Sequence, residues 1–167
     1  KTILRKDVLL CFPFQPFQHI IDVLREAAID PKVISIKINL YRVASDSHII
    51  NALISAARNG KKVTVIIELK ARFDEANNIR WSNFLEENGV QVLFGVPNLK
   101  VHSKLFIIKR KNGEKTEMIA HIGSGNFHEK TSRIYTDCSL LTANPLITKE
   151  VEKIFKIFKN NLDRSTF

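Results

Sequence analysis

Lys62-Val63-Thr64-Val65-Ile66-Ile67-Glu68-Leu69 decides how this chain folds. From Val63 to Ile67 the stretch is nearly continuous in apolar residues, where a strand with one wet face would alternate. Such continuity predicts burial on both faces, as in a parallel sheet covered by helices. The flanks agree. Upstream, Asp46-Ser47 offers an N-cap to a helix whose apolar face is Ile49, Ile50, Leu53, Ile54, Ala56 and Ala57. Asn59-Gly60 ends that helix. Before it, residues 33–41 are β-branched and alternating, a strand with one face better buried. Downstream, a helix is predicted over 78–88, with Ile79, Trp81, Phe84 and Leu85 inward and Gly89 closing it. The strand 90–94 follows.

Further out, residues 7–12 read as a short strand ending at Pro13. A helix then buries Phe17, Ile20, Ile21, Leu24, Ala27 and Ala28, and Asp30-Pro31 stops it. On the other side, Leu99-Lys100-Val101-His102-Ser103-Lys104-Leu105-Phe106-Ile107-Ile108 reads as a strand. Side chains in a strand alternate faces, so His102 and Lys104 are expected to point the same way. Lys111-Asn112-Gly113-Glu114 makes a hairpin turn into a strand ending at Ile122. Residues 134–141 are expected as a last strand. Asn144-Pro145 introduces a closing helix with Val151, Ile154, Phe155, Phe158 and Leu162 inward. The predicted fold class is α/β, a mixed β-sheet flanked by helices on both faces.

The 167 residues make one domain with a sizeable core, and no apolar run approaches the roughly 20 residues needed to span a bilayer. The first residues, Lys1-Thr2-Ile3-Leu4-Arg5-Lys6, resemble the interior of a longer protein cut at a linker. Cys11 and Cys138 show no metal-ligand or disulfide spacing, so reduced cytoplasmic thiols are expected. A net charge of +9 favours a polyanionic partner. Lys149, Lys153, Lys156 and Lys159 also fit a merely solvated helix surface.

Three strand ends carry more charge than packing needs: Tyr41-Arg42, Glu68 to Glu75, and Lys100 to Lys104. Ligands of open α/β sheets bind outside the carboxyl ends of strands, so Arg42, Arg72 and His102 are expected at one edge. Arginine forks fit phosphate bidentately. Taken singly, each arginine reads first as a surface salt bridge, with Asp74 or Glu75 as partner; their shared position at strand ends favours function. Gly123-Ser124-Gly125-Asn126 is a small-residue loop that lets backbone N–H groups and Asn126 approach an anion. With His102 and Lys104 it points to chemistry at phosphorus, His102 being the nucleophile. Such a histidine needs an unprotonated nitrogen and an orienting partner, for which Asp137 is the candidate. Asp137 also reads as a capped turn or an exposed strand carboxylate. Tyr135 alone reads as aromatic packing. His19 and His48 are expected on the surface, His121 in the core and His128 in a loop.

His-x-Lys followed by Gly-Ser-Gly-Asn resembles the phospholipase D superfamily, whose motif is His-x-Lys-(x)4-Asp. Here Lys109 stands where that Asp would be. A closer resemblance covers nearly the whole chain. Ile38 to Arg42, Glu68 to Glu75, Val101 to Lys104, His121 to Phe127 and Thr131 to Asp137 resemble the first C-terminal domain of the bacterial polyphosphate kinases. The resemblance implies a phospholipase D-like fold in a reversible kinase, which passes the ATP γ-phosphate through a phosphohistidine to the end of a polyphosphate chain. By motif position His102 would carry the phosphate. Arg42 and Arg72 would lie at the phosphate and Mg²⁺ site, and Tyr135 would contact the nucleotide. An arginine side chain cannot ligate Mg²⁺, so both are read as gripping Mg²⁺-bound phosphate oxygens. Lys104 and Asn126 would neutralise the transferring group.

The resemblance further implies partner domains of the same chain, among them a second C-terminal domain with another catalytic histidine. The present chain would then hold about half a site, fold, and turn over poorly or not at all. The expected ligands are ATP, ADP and inorganic polyphosphate, with Mg²⁺ as cofactor, no specific nucleic acid, and a homo-oligomer at full length. A cytoplasmic location is expected, with peripheral attachment to a membrane compatible with the charge. Two other readings stay open: a phospholipase D-type phosphodiesterase or nuclease, and a non-catalytic polyanion-binding module.

Overall fold

The structure, a computed structural model, describes residues 2–71, 74–95 and 99–163, with side chains through Lys159. Seven strands form one sheet: β1 (Val8–Phe12), β2 (Val33–Leu40), β3 (Lys62–Ile67), β4 (Gln91–Phe94), β5 (Lys104–Asn112), β6 (Lys115–Gly123) and β7 (Asp137–Thr142). Their order across the sheet is β1-β7-β6-β5-β2-β3-β4. β2, β3 and β4 are parallel, whereas β5, β6, β7 and β1 follow as antiparallel neighbours. The sheet is therefore mixed, as expected.

β3 sits between β2 and β4, and its side chains divide between two cores. Val63, Val65 and Ile67 join Ile36, Ile38, Leu40, Phe106 and Ile108 in the larger core. That core lies under α1 (Gln18–Ile29), α2 (His48–Arg58) and α3 (Glu75–Glu87). Ile66 faces the other way with Leu105, Ile107 and Ala120, beneath Val151 and Phe155 of α4 (Pro145–Asp163). Burying an Ile or Leu side chain stabilises by about 1.5–3 kcal/mol, so a strand wet on one side would forfeit half of this pattern.

Local signals account for several element ends. Ser47 Oγ accepts from the N–H groups of Ile49 and Ile50, capping α2. Asn144 Oδ1 accepts from Leu146 N at the start of α4. Asn112 pairs with Lys115 across a two-residue loop, where Gly113 takes the positive φ that favours glycine.

Two expectations need correction. The helix predicted over 78–88 begins earlier, at Glu75, and turns a different face inward. Trp81 and Leu85 are buried, but Ile79 and Phe84 are exposed while Asn78 and Ser82 take inner positions. Asn78 Nδ2 donates to the carbonyls of Tyr41 and Glu68, so tying off two strand ends outweighs burying one more isoleucine. The strand predicted over 134–141 starts only at Asp137. Residues before it form a 3-10 turn, with Ile134 and Tyr135 both donating to the Thr131 carbonyl. The two cysteines, distant in sequence, lie opposite each other on β1 and β7.

Candidate active site

The candidate site forms where β2 and β3 end and β5 begins. His102 precedes β5 rather than lying within it, which corrects the strand expected from its sequence. Two buried polar side chains pin the backbone on either side of it. Asn39, fully buried near the end of β2, donates through Nδ2 to the Ser103 carbonyl and accepts from Leu105 N at 2.9 Å. Glu68, just past β3, accepts from Val101 N at 2.9 Å and from Lys70 N at 2.9 Å. With its neighbours held, His102 presents an exposed side chain from a fixed backbone.

Tyr41 is the floor on which the site is built. The His102 ring meets it edge-on, centroids 4.7 Å apart, and Lys104 Nζ stands 5.4 Å from the same ring. Arg42 Cζ lies 5.8 Å from it. Lys104 is buried and places Nζ 2.9 Å from His102 Nδ1 and 3.2 Å from Nε2, while also bonding the His102 carbonyl. An ammonium only donates, so a ring nitrogen bonded to it is unprotonated. The electrostatics point the same way: burial first, then Lys104, Arg42 and Lys100, push the His102 imidazole below its ordinary pKa. Burial and Arg42 also lower Lys104, and Asp137 opposes them.

The remaining predicted residues fall out differently. Arg42 Nε pairs with Asp74 at 2.9 Å, so the salt-bridge reading holds while its charge still acts on His102. Arg72 lies outside the described residues. Asp137 is not hydrogen-bonded to His102; its carboxylate accepts from Ser124 Oγ at 2.6 Å. The reason is topological, since β7 is separated from β5 by β6 and Asp137 faces the loop that leaves β6. A Cβ on Gly125 would come within 2.5 Å of Asp137 Oδ2, so only glycine allows this loop to lie against the carboxylate. Asn126, next in the loop, buries its Oδ1 without a hydrogen-bond partner among the described residues. Tyr135 is exposed, on the turn before β7.

His121 is a core residue, as expected. It stacks on Phe106, bonds Ser139 Oγ at 2.9 Å, and burial pushes its pKa down to about 3. Lys109, at the position of the superfamily's motif Asp, bonds Glu152 of α4 and ties that helix to the sheet. Asn39, Tyr41 and Glu68 lie in the predicted strand-end stretches but are not among the predicted site residues. A polar residue at the inner end of an otherwise apolar strand (Asn39 after Ile38, Glu68 after Ile67) was the available signal.

Among the described residues no cluster of His, Cys, Asp or Glu is suited to hold a metal directly. Arg42 and Lys104 are cations, which fits a metal arriving on phosphate oxygens and does not fit a bare ion.

Comparisons with known proteins give the family and the fold. The family model described as "Polyphosphate kinase C-terminal domain 1" matches residues 1–164. The polyphosphate kinase of Salmonella typhimurium is 54% identical over 166 residues, covering 99% of this chain and 24% of that protein. That of Vibrio parahaemolyticus is 57% identical over 160 residues, 96% of this chain and 23% of that one. The chain thus spans about a quarter of the length of these relatives. The crystal structure of polyphosphate kinase from Porphyromonas gingivalis superposes with a TM-score of 0.85 at 44% identity, covering 95% of this chain and 27% of that one. Nuc, a phospholipase D family member from Salmonella typhimurium, shares the fold with a TM-score of 0.67 at 18% identity over 95% of both chains. The chain has the phospholipase D-like fold and belongs to the polyphosphate kinase C-terminal domain 1 family.

Proposed function

We propose that this chain is the first C-terminal catalytic domain of a multidomain polyphosphate kinase, and that His102 accepts the γ-phosphate of ATP before it passes to polyphosphate. The observation that carries this reading is the His102 imidazole, its pKa pushed below the ordinary value, held beside cationic Lys104 and Arg42, with Lys104 paired across β5 and β6 with Gly123, where the Ser124-Gly125-Asn126 loop begins. In the forward step a His102 nitrogen attacks phosphorus, the N–P bond forms, the bond to the β-phosphate bridging oxygen breaks, and ADP leaves. Lys104 and Arg42 balance the charge of the equatorial oxygens. Mg²⁺ bound to the phosphates supplies further charge neutralisation. The Asn126 side chain and the N–H groups of Gly125 and Asn126 are proposed to donate to phosphate oxygens, the Ser124 N–H being held by the Cys138 carbonyl. Asp137 serves by holding Ser124 and by favouring the charged form of Lys104 against burial and Arg42. Arg72 and Tyr135 are proposed phosphate and nucleotide contacts.

Lys109 in place of the motif Asp weighs against an ordinary phosphodiesterase. The test is to give the full-length protein Mg²⁺ with ATP, and separately a generic phosphodiester. Polyphosphate formed from ATP, lost on chelation of Mg²⁺, with the diester left intact, is the expected result. Diester cleavage without polymer formation would overturn the reading.

A further inference from the structure

Cys11 and Cys138 are Cα partners on antiparallel strands β1 and β7, with sulfurs 3.5 Å apart. The backbone of Cys11 bonds Gln15 through both its N–H and its carbonyl. That of Cys138 bonds Ser124 through both of its groups. Neither cysteine therefore exchanges backbone hydrogen bonds with the other, and the two occupy a non-hydrogen-bonded pair. In that site Cα atoms lie about 4.5 Å apart and side chains approach most closely, within the range a disulfide bridges. Both thiols are free, Cys138 exposed and Cys11 half-buried. Leu10 and Phe12, the alternate residues of β1, point into the core, so the thiols lie on the opposite face of the sheet edge.

We propose that Cys11 and Cys138 are a redox modification site, closed to a disulfide by a peroxide and coupled through Ser124 to the loop of the candidate active site. The Cys138 sulfur attacks a peroxide oxygen, an S–O bond forms, the O–O bond breaks, and water leaves to give a sulfenic acid. The Cys11 sulfur then attacks that sulfur, the S–S bond forms, the S–O bond breaks, and a second water departs with the thiol proton. Two thiols lose two electrons in all, and the peroxide is reduced to two waters. Cys11 raises the Cys138 thiol above its ordinary pKa by hydrogen bonding, so oxidation accelerates with rising pH.

Closure brings the sulfurs from 3.5 Å to about 2.05 Å. The movement passes to Ser124, whose Oγ accepts from Cys138 N at 3.0 Å and whose N–H donates to the Cys138 carbonyl at 3.0 Å, while its hydroxyl donates to Asp137. Disulfide formation thereby shifts the Ser124-Gly125-Asn126 loop.

The test oxidises the full-length protein with hydrogen peroxide, alkylates it, and maps unreduced peptides by mass spectrometry. The expected result is a linked Cys11–Cys138 peptide, two hydrogens lighter than its parts and lost on reduction. In Cys11→Ser the sulfenic acid at Cys138 is trapped by dimedone. Deuterium exchange over residues 123–127 changes on oxidation of the wild type and not of Cys11→Ser. Over-oxidation of Cys138 with Cys11 left reduced would overturn the site, and a linked peptide with unchanged exchange would overturn the coupling. Both readouts are independent of whether His102 carries phosphate.

Discussion

His102 combines two properties that rarely occur together: its side chain is open to ligand while its backbone is held by buried groups on both sides. Burial and the neighbouring cations hold its imidazole below the ordinary pKa of about 6.5, so protonation would silence the proposed nucleophile only at more acid pH. The expected outcome is that phosphotransfer by the full-length protein persists through pH 6.5, with the acid limb of its pH profile lying lower. A limb at or above 6.5 would show that burial, Lys104 and Arg42 do not depress this ring. Glu68 offers a second prediction. Its carboxylate receives two backbone N–H groups, and Glu68→Gln turns an amide NH₂ toward one of them. An unsatisfied buried group costs about 1–3 kcal/mol, readable as a lower urea midpoint. An unchanged midpoint would mean that the carboxylate does not tie Lys70 to Val101.

At the scale of elements, strands and helices were legible in the sequence because apolar periodicity follows from burial. Val63 to Ile67 led directly to a strand buried on both faces. The departures share one cause, which is that hydrogen bonds to backbone groups near element ends outweighed the apolar periodicity. Asn78 displaced Ile79 from the inner face of α3 by bonding the ends of β2 and β3. Asn78→Ala removes that donor and is expected to cost about 1–3 kcal/mol, with hydrogen exchange accelerating in α3 before α2. Equal acceleration in both helices would mean that Asn78 does not specifically dock α3. The hydrogen bonds of Ile134 and Tyr135 to Thr131 likewise converted a predicted strand into a turn.

For the whole molecule, the sheet order brings segments far apart in sequence to one edge, and there sequence reading reached its limit. His102, Lys104 and Arg42 share a strand-end site, as their positions implied. The pairing of Asp137 depends on β6 lying between β7 and β5, and the meeting of Cys11 with Cys138 depends on β1 closing the sheet beside β7. Neither is encoded in local spacing. Family membership, by contrast, was legible from motif blocks spread along most of the chain, and the comparisons bear it out. The most direct test of the proposed chemistry uses the full-length protein, wild type and His102→Ala, incubated with γ-labelled ATP and Mg²⁺. Label that is stable in base, lost in acid, confined to the wild type and chased into polymer is the predicted result. Equal label on both proteins, or none on either, would contradict a phosphohistidine at His102.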